Sequence, residues 1–174
     1  MYINNFPRSK VNIKLELSIN DTRWHDETII QDIVSHCSYI IEYTIQYIFS
    51  NPSSHPSIRI SLLLTNNYTL KYLNNKFRQI NKATNILSFP FYNWAPKESK
   101  KCMYSRERIF FGDIAISFNK ISRESIKFNH YFQDYFDYIL THGILHLIGY
   151  QHNTSDETNT MDGLKQSILR RIHQ

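Results

Sequence analysis

Between Thr141 and His152 the chain reads Thr-His-Gly-Ile-Leu-His-Leu-Ile-Gly-Tyr-Gln-His, which places histidines at positions 142, 146 and 152. Histidines four residues apart lie on one face of an α-helix, one turn above the other, so His142 and His146 can hold a single ion together. Gly149 is the residue type that ends a helix and reverses the chain, and three residues later His152 can return as a third donor. Three neutral imidazoles leave a fourth tetrahedral position open, which is the pattern of a reactive zinc site and not of a closed structural one. The spacing therefore predicts one Zn2+ per chain on His142, His146 and His152. Ile139, Leu140, Ile144, Leu145, Leu147 and Ile148 make the same stretch apolar nearly all round. A hydrogen-bonded core histidine would account for one of the three, but not for all of them at this spacing in a setting that disfavours polar groups.

The same spacing occurs in a zinc-protease signature that has a glutamate after the first histidine. Here that position is Gly143. Without the carboxylate, the proteolytic mechanism lacks the group that takes a proton from the zinc-bound water. A zinc peptidase is therefore the weaker reading.

The run His142-Gly-Ile-Leu-His-Leu-Ile-Gly-Tyr-Gln-His152 resembles the signature H-G-x-L-H-L-x-G-Y-D-H of the YbeY family, bacterial endoribonucleases that mature ribosomal RNA. It departs from it at Gln151, where the family usually has Asp beside the third ligand; the change alters the surroundings of His152 without removing a donor. Leu73-Asn-Asn-Lys-Phe-Arg78 followed by Lys82 to Pro90 is similar to the family's arginine-bearing helix and the strand after it, and Phe111 to Ser117 to its next strand. These motifs cover most of residues 60 to 174, whereas residues 1 to about 56 match in pattern only. The resemblance implies a zinc-dependent, single-strand-specific endoribonuclease acting in 16S rRNA 3′-end maturation, ribosome biogenesis and ribosome quality control. Its implied partners are single-stranded RNA, an rRNA precursor, and the small ribosomal subunit with its assembly factors. In such chemistry zinc brings the acidity of bound water towards neutrality, and a cation must face the charge developing on phosphorus. Arg78 is the candidate, because a guanidinium binds phosphate oxygens in pairs and stays charged; the bland alternatives are a favourable helix end or a surface ion pair. Lys82 is expected to be solvated, with an adjacent phosphate as its other possible partner. Asp113 is expected to anchor a strand end by hydrogen bonds, with the orienting of a ligand as its other reading. Other readings of the same residues are a small-phosphoester hydrolase and a non-catalytic ribosome-assembly factor with structural zinc.

Positioning such a site requires a framework that the pattern also supplies. Alternation from Val11 to Ile19 predicts a strand, and Glu27 to Phe49 repeats apolar residues at helical spacing before the breaker Ser50 to Pro56. A strand over Ser57–Thr65, a helix over Tyr68–Arg78 capped by Asn66 or Asn67, and strands over Asn85–Phe91 and Ile109–Ser117 follow. Tyr92 to Arg108, with Pro96 and five Lys or Arg, reads as a long polar loop, either a solvated excursion or an RNA-facing arm. Helices are expected over Phe118–Phe128, Tyr131–Tyr150 and Thr154–Ile172, the last opened by the capping box Thr154-Ser-Asp-Glu157. The outcome is an α+β fold: one domain over residues 1–174, with a four-stranded mixed β-sheet, five to six helices, and the zinc site at the end of a buried helix.

At 174 residues and 41% hydrophobic content the chain can bury a substantial core. A net charge of +5 and a pI near 9.1 suit a polyanionic partner without requiring one. Cys37 and Cys102 form neither a metal spacing nor a disulfide framework, and no stretch is apolar enough for a signal peptide or a membrane span, so a cytoplasmic protein with no membrane partner is expected. His25, His36, His55 and His173 have no neighbours at ligand spacing, and His130 is expected to serve local hydrogen bonding. Most aromatic residues near the metal helix are expected in the core.

Overall fold

The computed structural model describes residues 12–26, 30–49 and 57–174. Val11 of the expected first strand, the expected helix start at 27–29, the breaker over 50–56, His55 and the N-terminal segment lie outside the described residues.

β1 (Asn12–Ile19), β2 (Ser57–Thr65), β3 (Ile86–Pro90) and β4 (Arg108–Ser117) form one sheet in the order β1-β2-β4-β3. β1 and β4 run parallel to β2, while β3 is antiparallel to β4, so the sheet is mixed as expected. The alternating partial burial of β1 matches its edge position, and the nearly continuous burial of β4 matches an interior strand covered on both faces.

Six α-helices accompany the sheet among the described residues: α1 (Ile33–Ile48), α2 (Asn67–Arg78), α3 (Pro96–Ser105), α4 (Phe118–Lys127), α5 (Phe132–Ile148) and α6 (Ser155–Ile172). One face of the sheet receives α1 and α5 in the main core, with Phe136, Leu140, Ile144 and Leu145 of α5 fully buried against Leu62, Leu64, Ile114 and Ile116. Such side chains stabilise the fold by roughly 2 kcal/mol each relative to exposure. Leu70 of α2 covers the opposite face over Leu87 and Ala115. Because α5 has the sheet on one side and α1, α4 and α6 around it, an apolar perimeter is what its position demands. Asn66 is the cap of α2, accepting from the Thr69 amide at 3.1 Å.

The expected polar loop from Tyr92 to Arg108 is incorrect: it contains α3. Pro96 sits at the first helical position, where it favours a start instead of a break, and the Glu98 carboxylate accepts from the Ala95 amide at 2.8 Å. Ser99 and Met103, four apart, are fully buried, while Lys97, Lys100 and Lys101 face solvent. The three lysines hid a short amphipathic stripe. A 3-10 turn over Thr22–His25, also unforeseen, seats Trp24 against Phe118 and Phe136.

Candidate metal centre

His142 and His146 project from the last turns of α5, with their Nε2 atoms 3.1 Å apart. The helix then ends in a Schellman arrangement: the Gly149 amide donates to the His146 carbonyl and the Tyr150 amide to the Leu145 carbonyl, both at 3.0 Å. Gly149 has φ of 104°, and a Cβ there would lie 2.2 Å from the Trp94 carbonyl oxygen, so both conformation and space require glycine. This turn brings the Tyr150 carbonyl back over the helix, where it accepts from Nδ1 of His146 at 2.9 Å. His152 follows, its ring centroid 5.5 Å from that of His142 and 5.0 Å from that of His146. The next residues are pinned by the capping box of α6: Glu157 accepts from the amides of Asn153 and Thr154 at 2.9 and 3.1 Å, and its own amide donates to Thr154 Oγ1 at 3.2 Å.

One donor atom from each of the three histidines lies within 4.8 Å of the other two, a group able to hold a metal ion. Because Nδ1 of His146 donates to Tyr150, its Nε2 presents a lone pair. A second lone pair 3.1 Å away, on His142, would repel it unless a proton or a cation lay between them. Two nitrogens bound tetrahedrally at about 2.0–2.1 Å from zinc are separated by roughly 3.3 Å, close to this distance. Burial, followed by the charges of His146, Lys165 and His152, pushes His142 down to about 3. His146 is lowered as well, chiefly by burial and against the pull of its bond to Tyr150. Both rings are therefore neutral donors at ordinary pH, and His152 keeps the cluster open to solvent. Nδ1 of His142 is buried without a hydrogen-bond partner among the described residues.

A Cβ on Gly143 would lie 2.4 Å from Ile86 Cδ1 and 3.1 Å from Ser88 Oγ. The position at which a zinc peptidase has its general base is thus a close helix–sheet contact, where a glutamate side chain would have to push aside Ile86 and Ser88.

Arg78 is the last residue of α2, exposed, and without an ion pair or hydrogen bond among the described residues. Its charge contributes to the lowering of His146, so it lies near the triad. The loop after it is held by buried Asn74, whose Nδ2 donates to the Lys82 carbonyl at 2.7 Å. As a result Arg78, Lys82, Lys120 and Glu124 line one pocket. Asn85 lines both that pocket and a larger cavity of about 790 Å³ that reaches His142. Lys82 therefore belongs beside Arg78 as well as to solvent. Asp113 is exposed in mid-strand opposite Phe89, with no side-chain hydrogen bond among the described residues, and does not anchor a strand end. Gln151 is exposed too.

Several neighbours were not anticipated. His130 and His173 line the larger cavity, so His130 has more than a local setting. His36 and His173 bond the two oxygens of fully buried Asp137 at 2.6 and 3.0 Å. Lys165, 3% exposed, bonds Asp162 at 2.8 Å and influences His142 and His146. The available signal was its place on the inward stripe Met161, Lys165, Ile168, Ile172 of α6, where a lysine is out of character.

A model of the family described as Endoribonuclease YbeY matches residues 21–173. An Endoribonuclease YbeY from Rhizobium leguminosarum bv. trifolii is 31% identical over 163 residues, spanning 92% of this chain and 90% of its own length. One from Clostridium perfringens is 28% identical over 152 residues, spanning 82% and 90%. Among solved structures, the solution structure of TM1509 from Thermotoga maritima matches with a TM-score of 0.51 over 92% of both chains at 17% identity, a likeness of fold.

Proposed function

The chain belongs to the YbeY family of endoribonucleases, and from that premise we propose that it is a zinc-dependent enzyme that cuts single-stranded RNA. The observation that supports this most directly is a cluster of three histidine donors near an Arg78 that has no hydrogen bond or ion pair among the described residues, with two adjoining pockets that share Asn85, one reaching His142 and the other Arg78. Zinc held by His142, His146 and His152 would supply Lewis acidity to an adjacent water or ribose hydroxyl. The protein groups do the rest. The Tyr150 carbonyl fixes the tautomer and the ring plane of His146, and the glycine turn and capping box hold His152 in place. Arg78 grips two phosphate oxygens and stabilises the negative charge that grows on them; with no carboxylate partner among the described residues it is free to do so. Lys82 and Lys120, in the same pocket, hold neighbouring phosphates of the strand.

Two adjoining pockets that run from Arg78 past Asn85 to His142 suit a polymer better than a small phosphoester, and the close contact at Gly143 disfavours a peptidase. We assign the enzyme to 16S rRNA 3′-end maturation and ribosome quality control in the cytoplasm, working on an rRNA precursor together with the small ribosomal subunit and its assembly factors. Among the described residues no helix is long and apolar enough to cross a membrane.

The test is cleavage of an end-labelled single-stranded RNA by zinc-loaded protein beside an identically prepared His146→Ala variant. Cleavage by the parent alone is expected. Equal cutting by both, or none by either while the parent holds zinc, overturns the assignment.

A further inference from the structure

The cavity of about 790 Å³ beyond His142 is more than an opening to the metal centre. Tyr135 forms part of its floor, with its ring within 17° of parallel to those of His130 and Tyr138, at centroid distances of 6.3 and 6.1 Å. Phe128 adjoins at 5.9 Å and 35°. The hydroxyl of Tyr135 is committed to Glu124 at 2.9 Å, which fixes the ring. The Lys165 ammonium lies 4.1 Å from the centroid of Tyr138, holding that ring and drawing electron density from it. Phe128 and Tyr138 are nevertheless 52% and 38% exposed, so ring surface is left open in the cavity that reaches His142, with the Lys127 ammonium 5.3 Å from the centroid of Phe128. Near-parallel rings with free surface are what a planar base stacks upon.

Asp134 gives the cavity its selectivity. Its place in the first turn of α5 suits a carboxylate electrostatically, but that turn uses neither of its oxygens. Among the described residues it has no hydrogen bond or ion pair, and it attracts His173 only at longer range. A carboxylate with two free acceptor atoms matches the N1–H and exocyclic amine of guanine, two donors side by side. Adenine, cytosine and uracil each present one donor there with acceptors beside it, which the carboxylate repels.

We infer that this cavity is a guanine subsite: it stacks the base of a nucleotide adjoining the cut against Tyr138 and Phe128, and reads its pairing edge through Asp134. The inference rests on the RNA-cleaving reading, because continuity through His142 is what places a nucleotide there. Asp134 and Tyr138 are then specificity-determining residues, distinct from the metal ligands and from Arg78.

The experiment uses single-stranded RNAs identical except at one position, which holds guanosine, inosine, adenosine or an abasic site, with cuts mapped at nucleotide resolution. The parent is expected to cut beside guanosine and about tenfold less beside inosine, which lacks the exocyclic amine. Asp134→Asn should level guanosine with inosine. Tyr138→Ala should lower kcat/KM on the guanosine substrate about tenfold, and less on the abasic one. Cutting that ignores the base, or an unchanged guanosine-to-inosine ratio in Asp134→Asn, overturns the subsite while leaving the nuclease reading intact. Should the parent cut no RNA at all, guanosine and inosine 5′-monophosphates are titrated into both proteins by NMR. Preference for guanosine that Asp134→Asn loses sustains the subsite; equal binding, or none, overturns it. Thermal melts of each variant exclude unfolding as the cause.

Discussion

At the scale of single residues, the proposed function divides the work between the histidines and Arg78, and that division can be measured. The triad is a closed local construction: a helix face, a glycine turn and a carbonyl that orients one ring. Arg78 arrives from α2, far off in sequence, and makes no bond to that construction among the described residues. Arg78→Lys retains the charge but loses the paired donors, so cleavage should fall about tenfold or more while bound zinc, counted by elemental analysis, stays equal to the parent's. Equal rates would sink the phosphate clamp. The triad was legible because helical periodicity alone places residues four apart together, and Arg78 because a motif marked it. Lys165, Asp134 and His173 were not, since their meaning depends on which helices pack side by side. Nothing in a local window tells α6 that its fourth-turn lysine will face the histidines of α5.

At the scale of elements, Gly143 within α5 and Gly149 at its end look alike in sequence and differ in what opposes them. Beyond Gly143 stands the tip of Ile86, a flexible side chain that can turn away. An alanine there also gains about 1 kcal/mol of helix propensity, which offsets part of an overpacking cost of about 1–3 kcal/mol. Beyond Gly149 stands the backbone carbonyl of Trp94, and the residue has φ of 104°, so neither side can yield. Urea denaturation should therefore show Gly143→Ala destabilised by less than about 2 kcal/mol, and Gly149→Ala by about 3 kcal/mol or more. The second variant should also lose zinc affinity, because the turn delivers the Tyr150 carbonyl to His146. A smaller loss at Gly149 than at Gly143 would contradict this account. The segment read as a loop is tied to this end of α5, because the Trp94 backbone lies against Gly149 and α3 follows directly with Ser99 and Met103 tucked inside. Strands and long helices could be read from period-two and period-3.6 patterns; α3 could not, because two buried positions among three lysines give too weak a stripe.

At the scale of the whole molecule, the question is whether metal holds the fold together, and the answer follows from where the core lies. α5 is anchored by apolar side chains packed on the sheet and by Asp137, fully buried, which accepts from His36 of α1 and from His173 beyond α6. None of these contacts involves the triad, so protein stripped by chelator should retain a cooperative melt while cleavage stops; a collapsed melt would favour zinc as a structural prop. Two kinds of histidine then contribute to the acid response of the metal-free chain, beside carboxylates held low such as Asp21 and Asp162. His142 and His146 have lowered values, so as pH falls below 6.5 the unfolded chain takes up protons that the folded one refuses, and stability declines towards the His142 value of about 3. His173 is raised, first by its bond to Asp137. Its contribution is fully present below 6.5 and is lost as pH rises through its folded value, with solvent screening keeping it modest. The two effects oppose each other on the acid side. In denaturant titrations of metal-free protein, the parent should exceed His173→Gln most at about pH 5.5, and the gap should shrink by about pH 8.5. A gap that widened with pH would mean that Asp137 does not hold His173 in its charged form, and the link between α5 and the end of α6 would have to be sought in packing alone.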